Sequence, residues 1–279
     1  MMKRFIFSIF LLPLLLASPQ TKAQGIMLTP KWTAQAQFTG YYVADKLGFY
    51  KEEGIDVCVQ HPAISESSFS FMEKGRAPVV IMNLSYAFME RLAGARVVNV
   101  MQTSQENSLM LISHSPLKGE ESLRNQKIAV WNHLSQKLLD RLAEHYALKQ
   151  VGWIRFNSGV NVFLSGAADP CLVGSYNEYL QLSEYGMNVD SISSIRLADY
   201  GYNLPEDGLY VTEEFYNQYP EVVRKLVKAS MRGWAWTNEH REEALDMVME
   251  EVKKGNIGTN RYHQRKMLEE VLRLQVDQQ

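Results

Sequence analysis

Short apolar segments alternate with helical patterns along most of the chain, and this alternation constrains the fold more than any other feature. Strands are predicted at Ile55–Val59, Val79–Met82 and Lys127–Trp131, and each is followed by a segment of helical periodicity. After the last of them, a helix is predicted over Gln136–Ala147. Such alternation is typical of βαβ units, which build a mainly parallel sheet covered by helices. The predicted fold class is therefore α/β.

The predicted elements form two series that meet near Gly119, and the chain crosses back from the second to the first at Gly208–Val211. We predict two lobes, with residues 25–112 plus 206–279 in the first and residues 113–205 in the second. Each lobe would hold a mainly parallel sheet flanked by helices. Strand ends and helix N-termini of both lobes would meet in a cleft, which is where ligands bind in such folds.

The N-terminal segment has the order of a secretory signal. A basic head at Met1–Arg4 precedes the apolar run Phe5–Leu16, and small and polar residues follow, with cleavage predicted near Ala17 or Ala23. The alternative is a membrane anchor, but about twelve apolar residues are too few to span roughly 30 Å of hydrocarbon. We therefore predict a cleaved signal over residues 1–23 and a secreted protein that is periplasmic or otherwise extracytoplasmic.

The composition narrows the function classes. The chain has 29 basic and 31 acidic residues, a net charge of -2 and no long basic run, which argues against a nucleic-acid partner. Cys58 and Cys171 each lie in an apolar run, so two buried thiols are predicted, with a disulfide as the alternative. The six histidines show no paired ligand spacing, and no metal site is predicted.

Several sequence blocks together resemble one family. They are Trp32–Ala44, Lys46–Val57, Gly174–Glu178, Asp199–Gly201, Leu204–Phe215 and Pro220–Trp234. The chain resembles the NMT1/THI5-like periplasmic solute-binding proteins over nearly its whole length after the signal. This resemblance implies a two-lobed, type II periplasmic-binding-protein fold. It also implies a monomer that delivers a small molecule to the membrane permease of an ABC importer, without a cofactor.

Within that family, the resemblance is greatest to binders of thiamine pyrimidine precursors, so an aminopyrimidine is the expected ligand. Relatives that carry alkanesulfonates, nitrate or other small heterocycles leave those ligands as alternatives. The family also contains a fungal enzyme that builds the thiamine pyrimidine and has a Cys-rich, iron-binding stretch. The corresponding stretch here, Gly166–Val173, has a single Cys, so a binding protein is predicted in preference to an enzyme.

Candidate ligand contacts in the first lobe begin just beyond the first strand. Trp32 could cover the face of a flat ring, or it could pack on the lobe surface. Gln37, Phe38, Gly40 and Tyr41 open the first long helix, where free backbone N–H groups and a missing side chain allow a polar group to approach. Ordinary helix initiation is the alternative for these four residues.

In the second lobe, Tyr176, Asn177 and Glu178 follow the predicted strand Cys171–Val173 and should face the cleft. The Glu178 carboxylate can accept hydrogen bonds from an exocyclic amino group and would repel a sulfonate or nitrate. Alternatively, it only caps its helix. Further candidates at strand ends, each of which could instead be a turn or capping residue, are Asn83, Ser85, Gln105, Asn107 and Trp131 with Asn132. Trp234 is assigned to the core.

Overall fold

The computed structural model of the protein describes residues 25–63, 65–118, 120–131, 140, 143–144, 151–156 and 159–275. The signal predicted at residues 1–23, the helix predicted over Gln136–Ala147 and the candidate Asn132 lie wholly or mostly outside the described residues. None of the helices described between residues 25 and 275 combines the length and the apolar character needed to cross a membrane.

Strands and helices alternate along the described chain. The strands are β1 Ile26–Thr29, β2 Val57–Val59, β3 Val79–Asn83, β4 Val97–Gln102, β5 Leu109–Ser113, β6 Lys127–Val130, β7 Gly152–Arg155, β8 Cys171–Gly174, β9 Ser193–Arg196 and β10 Asp207–Thr212. The α-helices are α1 Thr39–Lys46, α2 Phe49–Glu52, α3 Ser68–Glu73, α4 Leu84–Leu92, α5 Asn161–Leu164, α6 Glu178–Glu184, α7 Glu213–Gln218, α8 Pro220–Glu239, α9 Arg241–Lys254 and α10 Arg261–Gln275.

Two five-stranded sheets form the centres of the two lobes. The first has the order β2-β1-β3-β10-β4 and the second the order β7-β6-β8-β5-β9. In the first sheet β10 runs antiparallel to both of its neighbours, and in the second sheet β5 does so. The other pairs are parallel. The prediction of mainly parallel sheets flanked by helices is therefore confirmed.

The pairing of β5 corrects one boundary. Leu109–Ile112 was assigned to the first lobe, but β5 pairs with β8 and β9 in the second sheet. Its apolar sequence does not reveal which sheet it joins, because both partner strands come much later in the chain. The first crossing between the lobes therefore lies at residues 103–108, between β4 and β5. The other lobe bounds stay a prediction.

The first lobe is held together by close packing of α1 on α8. A Cβ atom added at Gly40 would lie 2.3 Å from the Trp234 ring, and one added at Gly233 would lie 2.0 Å from the Gly40 carbonyl oxygen. Two glycines facing each other therefore allow the backbones to approach. Trp234 is buried in the core of this lobe, as predicted.

The two cysteines have different environments, and both are free thiols. Cys171 lies buried in the central strand β8, as predicted, and burial raises the pKa of its thiol to about 12. Cys58 is exposed, so the prediction of a buried thiol was wrong there. The reason is that β2 is an edge strand whose residues alternate between the core and the outside, and Cys58 points outward between Val57 and Val59.

Candidate functional site

The candidate site lies where the two sheets meet. The ends of β1 and β3 and the start of β10 contribute from the first sheet, and the segment after β8 contributes from the second. Gln37 connects the two sides: its Nε2 donates to Tyr176 Oη at 3.1 Å and to Asp207 Oδ2 at 2.7 Å. Gln35 Nε2 donates to Gln37 Oε1 at 2.6 Å and fixes the orientation of this buried amide. Two predicted site residues, Gln37 and Tyr176, are thus in contact.

Three buried carboxyl groups lie near Tyr176 and act on it electrostatically. Glu178, Glu206 and Asp207 are 8%, 7% and 6% exposed. Burial raises the pKa of the Tyr176 phenol well above its usual value, and the negative charges of the three carboxylates raise it further. Lys31 Nζ forms an ion pair with Asp207 Oδ1 at 2.5 Å and also donates to Asn83 Oδ1. The site is therefore rich in acceptors and negative in character.

Glu206 is held by the segment that crosses between the sheets. Its Oε1 accepts hydrogen bonds from the Ser108 backbone N–H at 2.9 Å and from Ser108 Oγ at 2.8 Å. Burial raises the pKa of the Glu206 carboxyl, the positive charge of Lys31 opposes that shift, and Asp207 adds to it.

Glu178 begins α6 and turns its carboxyl group back toward the end of β8. Its Oε2 accepts from the Gly174 backbone N–H at 3.1 Å, and its Oε1 accepts from Asn177 Nδ2 at 3.2 Å. Burial raises the pKa of this carboxyl, whereas these hydrogen bonds lower it. A Cβ atom added at Gly174 would lie 3.2 Å from Glu178 Oε2 and 3.9 Å from Trp131 Cη2. The carboxyl group and the indole ring thus flank the same small space.

Two buried polar atoms near these strand ends have no hydrogen-bond partner in the described part of the chain. They are Thr29 Oγ1, at the end of β1, and Trp131 Nε1, just after β6. Buried polar groups are nearly always paired, and an unpaired one costs about 1–3 kcal/mol. One of these atoms belongs to each sheet.

Three predicted contacts near the start of α1 belong to the core instead. Phe38 and Tyr41 are buried among the apolar residues of the first lobe, and Tyr41 Oη forms a hydrogen bond with Thr103 Oγ1 at 2.9 Å. The space beside Gly40 is filled by the Trp234 ring. The expectation that Gly40 lets a ligand approach is corrected, because its missing side chain serves helix packing.

Asn107 and Gln105 lie in the segment that joins β4 to β5. The Asn107 backbone N–H donates to Asn203 Oδ1 at 3.0 Å, and its side-chain Nδ2 donates to the Tyr202 carbonyl oxygen. Asn107 thus ties the two crossing segments together. Gln105 is exposed, and its backbone N–H donates to the Leu274 carbonyl oxygen at 2.8 Å.

The remaining candidates are Trp32, Ser85 and Asn83. Trp32 is 39% exposed, and its carbonyl oxygen lies 2.5 Å from His61 Nδ1. Ser85 is half-buried in the first turn of α4. Asn83 contacts Lys31. Their roles in binding stay predictions.

Sequence reasoning missed several residues of the site: Thr29, Lys31, Ser108, Glu206 and Asp207. A signal for the last two was present, since an acidic pair stands directly before the crossing strand at Gly208–Val211. Lys31 directly precedes Trp32, but no local pattern predicts its ion pair with Asp207, which is far away in the chain. Across the described residues, no group of three or more His, Cys, Asp or Glu side chains is arranged to hold a metal ion.

A family model described as "NMT1/THI5 like" matches residues 35–244, which include most of the site residues. The chain belongs to the NMT1/THI5-like family. Among its NMT1/THI5-like relatives, riboflavin-binding protein RibY of Chloroflexus aurantiacus is 27% identical over 268 residues, covering 91% of this chain and 73% of the relative. The formylaminopyrimidine-binding protein of Halalkalibacterium halodurans is 24% identical over 273 residues, covering 91% and 81%.

Other relatives of this NMT1/THI5-like chain carry the name of an enzyme. The 4-amino-5-hydroxymethyl-2-methylpyrimidine phosphate synthase of Legionella pneumophila is 21% identical over 228 residues, covering 80% of this chain and 72% of the synthase. Among solved structures, the periplasmic aliphatic sulphonate binding protein SsuA of Escherichia coli superimposes with a TM-score of 0.70 at 14% identity, covering 88% and 78%. The fold is therefore that of the periplasmic binding proteins.

Proposed function

We propose that this protein is the extracytoplasmic solute-binding component of an ABC importer and that it binds an aminopyrimidine of the thiamine-precursor type between its lobes. The observation that carries the proposal is the set of three buried carboxyl groups near Tyr176, next to the Gln37–Tyr176 contact. The relative that binds a formylaminopyrimidine supports it. In this role the partner is a membrane permease, and the segment at residues 1–23 directs export to the periplasm.

The charge of the site favours an uncharged ligand over an anion. At about 4 Å, two like unit charges repel by about 4 kcal/mol at an effective dielectric constant of about 20. Lys31, which could attract an anion, is already paired with Asp207 at 2.5 Å. A sulfonate or nitrate would therefore meet Glu178 and Glu206 without a compensating free cation from Lys31. An aminopyrimidine avoids this repulsion because it is neutral at neutral pH.

The hydrogen-bonding groups suit an aminopyrimidine as well. Its exocyclic amino group can donate a hydrogen bond to the Glu178 carboxylate. Its ring nitrogens can accept a hydrogen bond from the unpaired Trp131 indole N–H. The exposed indole of Trp32 can cover a flat ring, which contributes about 0.5–1.5 kcal/mol beyond area burial. Gln37 and Asn177 complete the proposed polar contacts.

Riboflavin is the second candidate ligand, since one relative is a riboflavin-binding protein at 27% identity. Its ring system is also flat and uncharged and carries a pyrimidine-dione edge, so the charge argument does not separate it from an aminopyrimidine. A direct comparison of affinities decides between the two ligands.

The test is calorimetry and thermal-shift measurement on purified protein. The panel contains formylated and free aminopyrimidines, thiamine, riboflavin, taurine, an alkanesulfonate and nitrate. We expect an aminopyrimidine to bind most tightly and the anions not to bind. Binding of an alkanesulfonate without any pyrimidine would overturn the ligand assignment. Iron and pyridoxal phosphate are measured on the same preparation, because their stoichiometric presence would favour a synthase over a transport protein.

A further inference from the structure

The last helix, α10, belongs to the first lobe but also contacts the second at positions two turns apart. Glu270 Oε1 accepts from Ser175 Oγ at 2.5 Å and from Arg196 Nη2 at 3.3 Å. His263, seven residues earlier on the same helix, contacts Asn177 and Glu184. One face of α10 therefore connects the lobes beside the candidate site.

The ring of His263 is buried and has an oxygen at each nitrogen. Its Nδ1 lies 2.6 Å from Glu184 Oε1, and its Nε2 lies 3.0 Å from Asn177 Oδ1. The amide oxygen of Asn177 faces His263 because its amide nitrogen donates to Glu178 Oε1. Since both partners are acceptors, both ring nitrogens have to donate, and only the doubly protonated imidazolium does so.

We propose that His263, as an imidazolium cation, is a positioning residue that orients Asn177 and Glu178 for the ligand and holds the two lobes together. This inference rests on the proposed function for its ligand. The connection runs from His263 Nε2 through the Asn177 amide to the Glu178 carboxylate, and the second ring nitrogen anchors α10 to Glu184 at the far end of α6. A single side chain of the first lobe thus contacts both ends of a helix in the second.

The charged groups around His263 are consistent with a cation at this position. From α6, Glu184 contacts the ring directly and Glu178 is reached through Asn177. From α9, Glu242 and Asp246 reach α10 but are paired with Arg261, and Glu242 also with Arg265. The short 3-10 helix Ala36–Phe38, which also packs on α10, contains no ionisable side chain.

This arrangement gives ligand affinity a defined pH dependence. As the pH rises, the imidazolium loses one proton, one of the two ring hydrogen bonds is lost, and affinity falls on the alkaline side. As the pH falls, Glu178 becomes protonated and accepts fewer hydrogen bonds, so affinity also falls on the acidic side. The profile is therefore bell-shaped, and its two limbs belong to different residues.

The test measures the affinity for formylaminopyrimidine by calorimetry between about pH 5 and about pH 9, the range in which histidine titrates. For the wild type we expect a loss of about tenfold on the alkaline limb, the effect of one hydrogen bond to a charged group. His263→Gln should bind more weakly, lose the alkaline limb and keep the acidic limb. The control His240→Gln, which changes a histidine stacked on Trp236, should keep both limbs.

An alkaline limb that survives in His263→Gln overturns the proposal. If that variant does not fold, Glu184→Gln gives the same test, because it removes the carboxylate that faces the charged ring and should move the alkaline limb to lower pH. If no pyrimidine binds at all, the proposed function fails. The nitrogen NMR spectrum of His263, assigned with the variants, then still decides its protonation: two protonated ring nitrogens near about pH 7.5, where an unperturbed imidazole is mostly neutral, support the cation. A single neutral tautomer there overturns it.

Discussion

Gln37 Nε2 lies 3.1 Å from Tyr176 Oη, and this hydrogen bond joins the segment before α1 in the first lobe to the segment after β8 in the second. The same nitrogen donates to Asp207 at 2.7 Å. The Gln37 amide thus connects the two lobes and also binds Asp207, one of the three buried carboxyl groups of the site.

Removal of this contact should weaken closure of the lobes. In Gln37→Leu both hydrogen bonds are lost, and each is worth about 0.5–1.5 kcal/mol. We expect roughly tenfold weaker ligand binding and a larger radius of gyration by small-angle scattering at subsaturating ligand. Tyr176→Phe should weaken closure in the same way, because it removes the bond between the lobes and keeps the Gln37–Asp207 bond. An unchanged radius of the wild type at ligand saturation would argue against closure altogether.

Glu178→Gln should lower aminopyrimidine affinity by about ten- to hundredfold. The substitution replaces a buried acceptor of the ligand amino group with a side chain that also donates, which leaves a buried donor unsatisfied at a cost of about 1–3 kcal/mol. Calorimetry measures the change, with Glu213→Gln at the half-buried start of α7, outside the candidate site, as control. Unaltered affinity in Glu178→Gln would remove this residue from the proposed site.

Gly40→Ala should destabilise the protein by about 1–3 kcal/mol, the usual cost of overpacking. The new Cβ atom would lie 2.3 Å from the Trp234 ring, so α1 and α8 would have to separate. Thermal unfolding measures the loss. Gly258→Ala is the control because its added methyl group meets no atom within 4 Å and its backbone is not left-handed. Equal melting temperatures for the two variants would contradict the close packing.

Glu206→Gln should change the pH dependence of stability. Burial raises the pKa of the Glu206 carboxyl above the value of about 4.3 typical of an unfolded chain. Between these two pKa values the folded state binds more protons, so wild-type stability falls as the pH rises. The variant has no such group, so it does not lose this stability as the pH rises. The melting temperature of the variant minus that of the wild type should therefore increase from about pH 4 to about pH 8. A difference that stays constant over this range would show that Glu206 has no raised pKa.

The sequence predicted those parts of the fold and site that depend on local pattern. Gln37, Tyr176, Asn177 and Glu178 were predicted because they follow strands or open helices. The structure places them near one another, and their role in binding stays a prediction. Asp207 was missed because its pairing with Lys31 depends on which strands become neighbours in the sheet, and local pattern does not contain that information.

The same limit explains the errors. Cys58 lies in an apolar run, but whether its side chain is buried depends on β2 being an edge strand. The space beside Gly40 depends on α8, almost 200 residues later in the chain, and β5 depends on strands that come after it. In each case the deciding neighbour is distant in sequence.

The position of β10 between β3 and β4 bears on how the chain folds as it is synthesised. β3 and β4 are both synthesised before the whole second lobe, yet they have no direct pairing and wait for β10 to enter between them. Until then their inner edges stay open, and pairing across such long separations is slow. The first lobe should therefore complete its sheet last, and a chain released before residue 207 should remain aggregation-prone and sensitive to proteases.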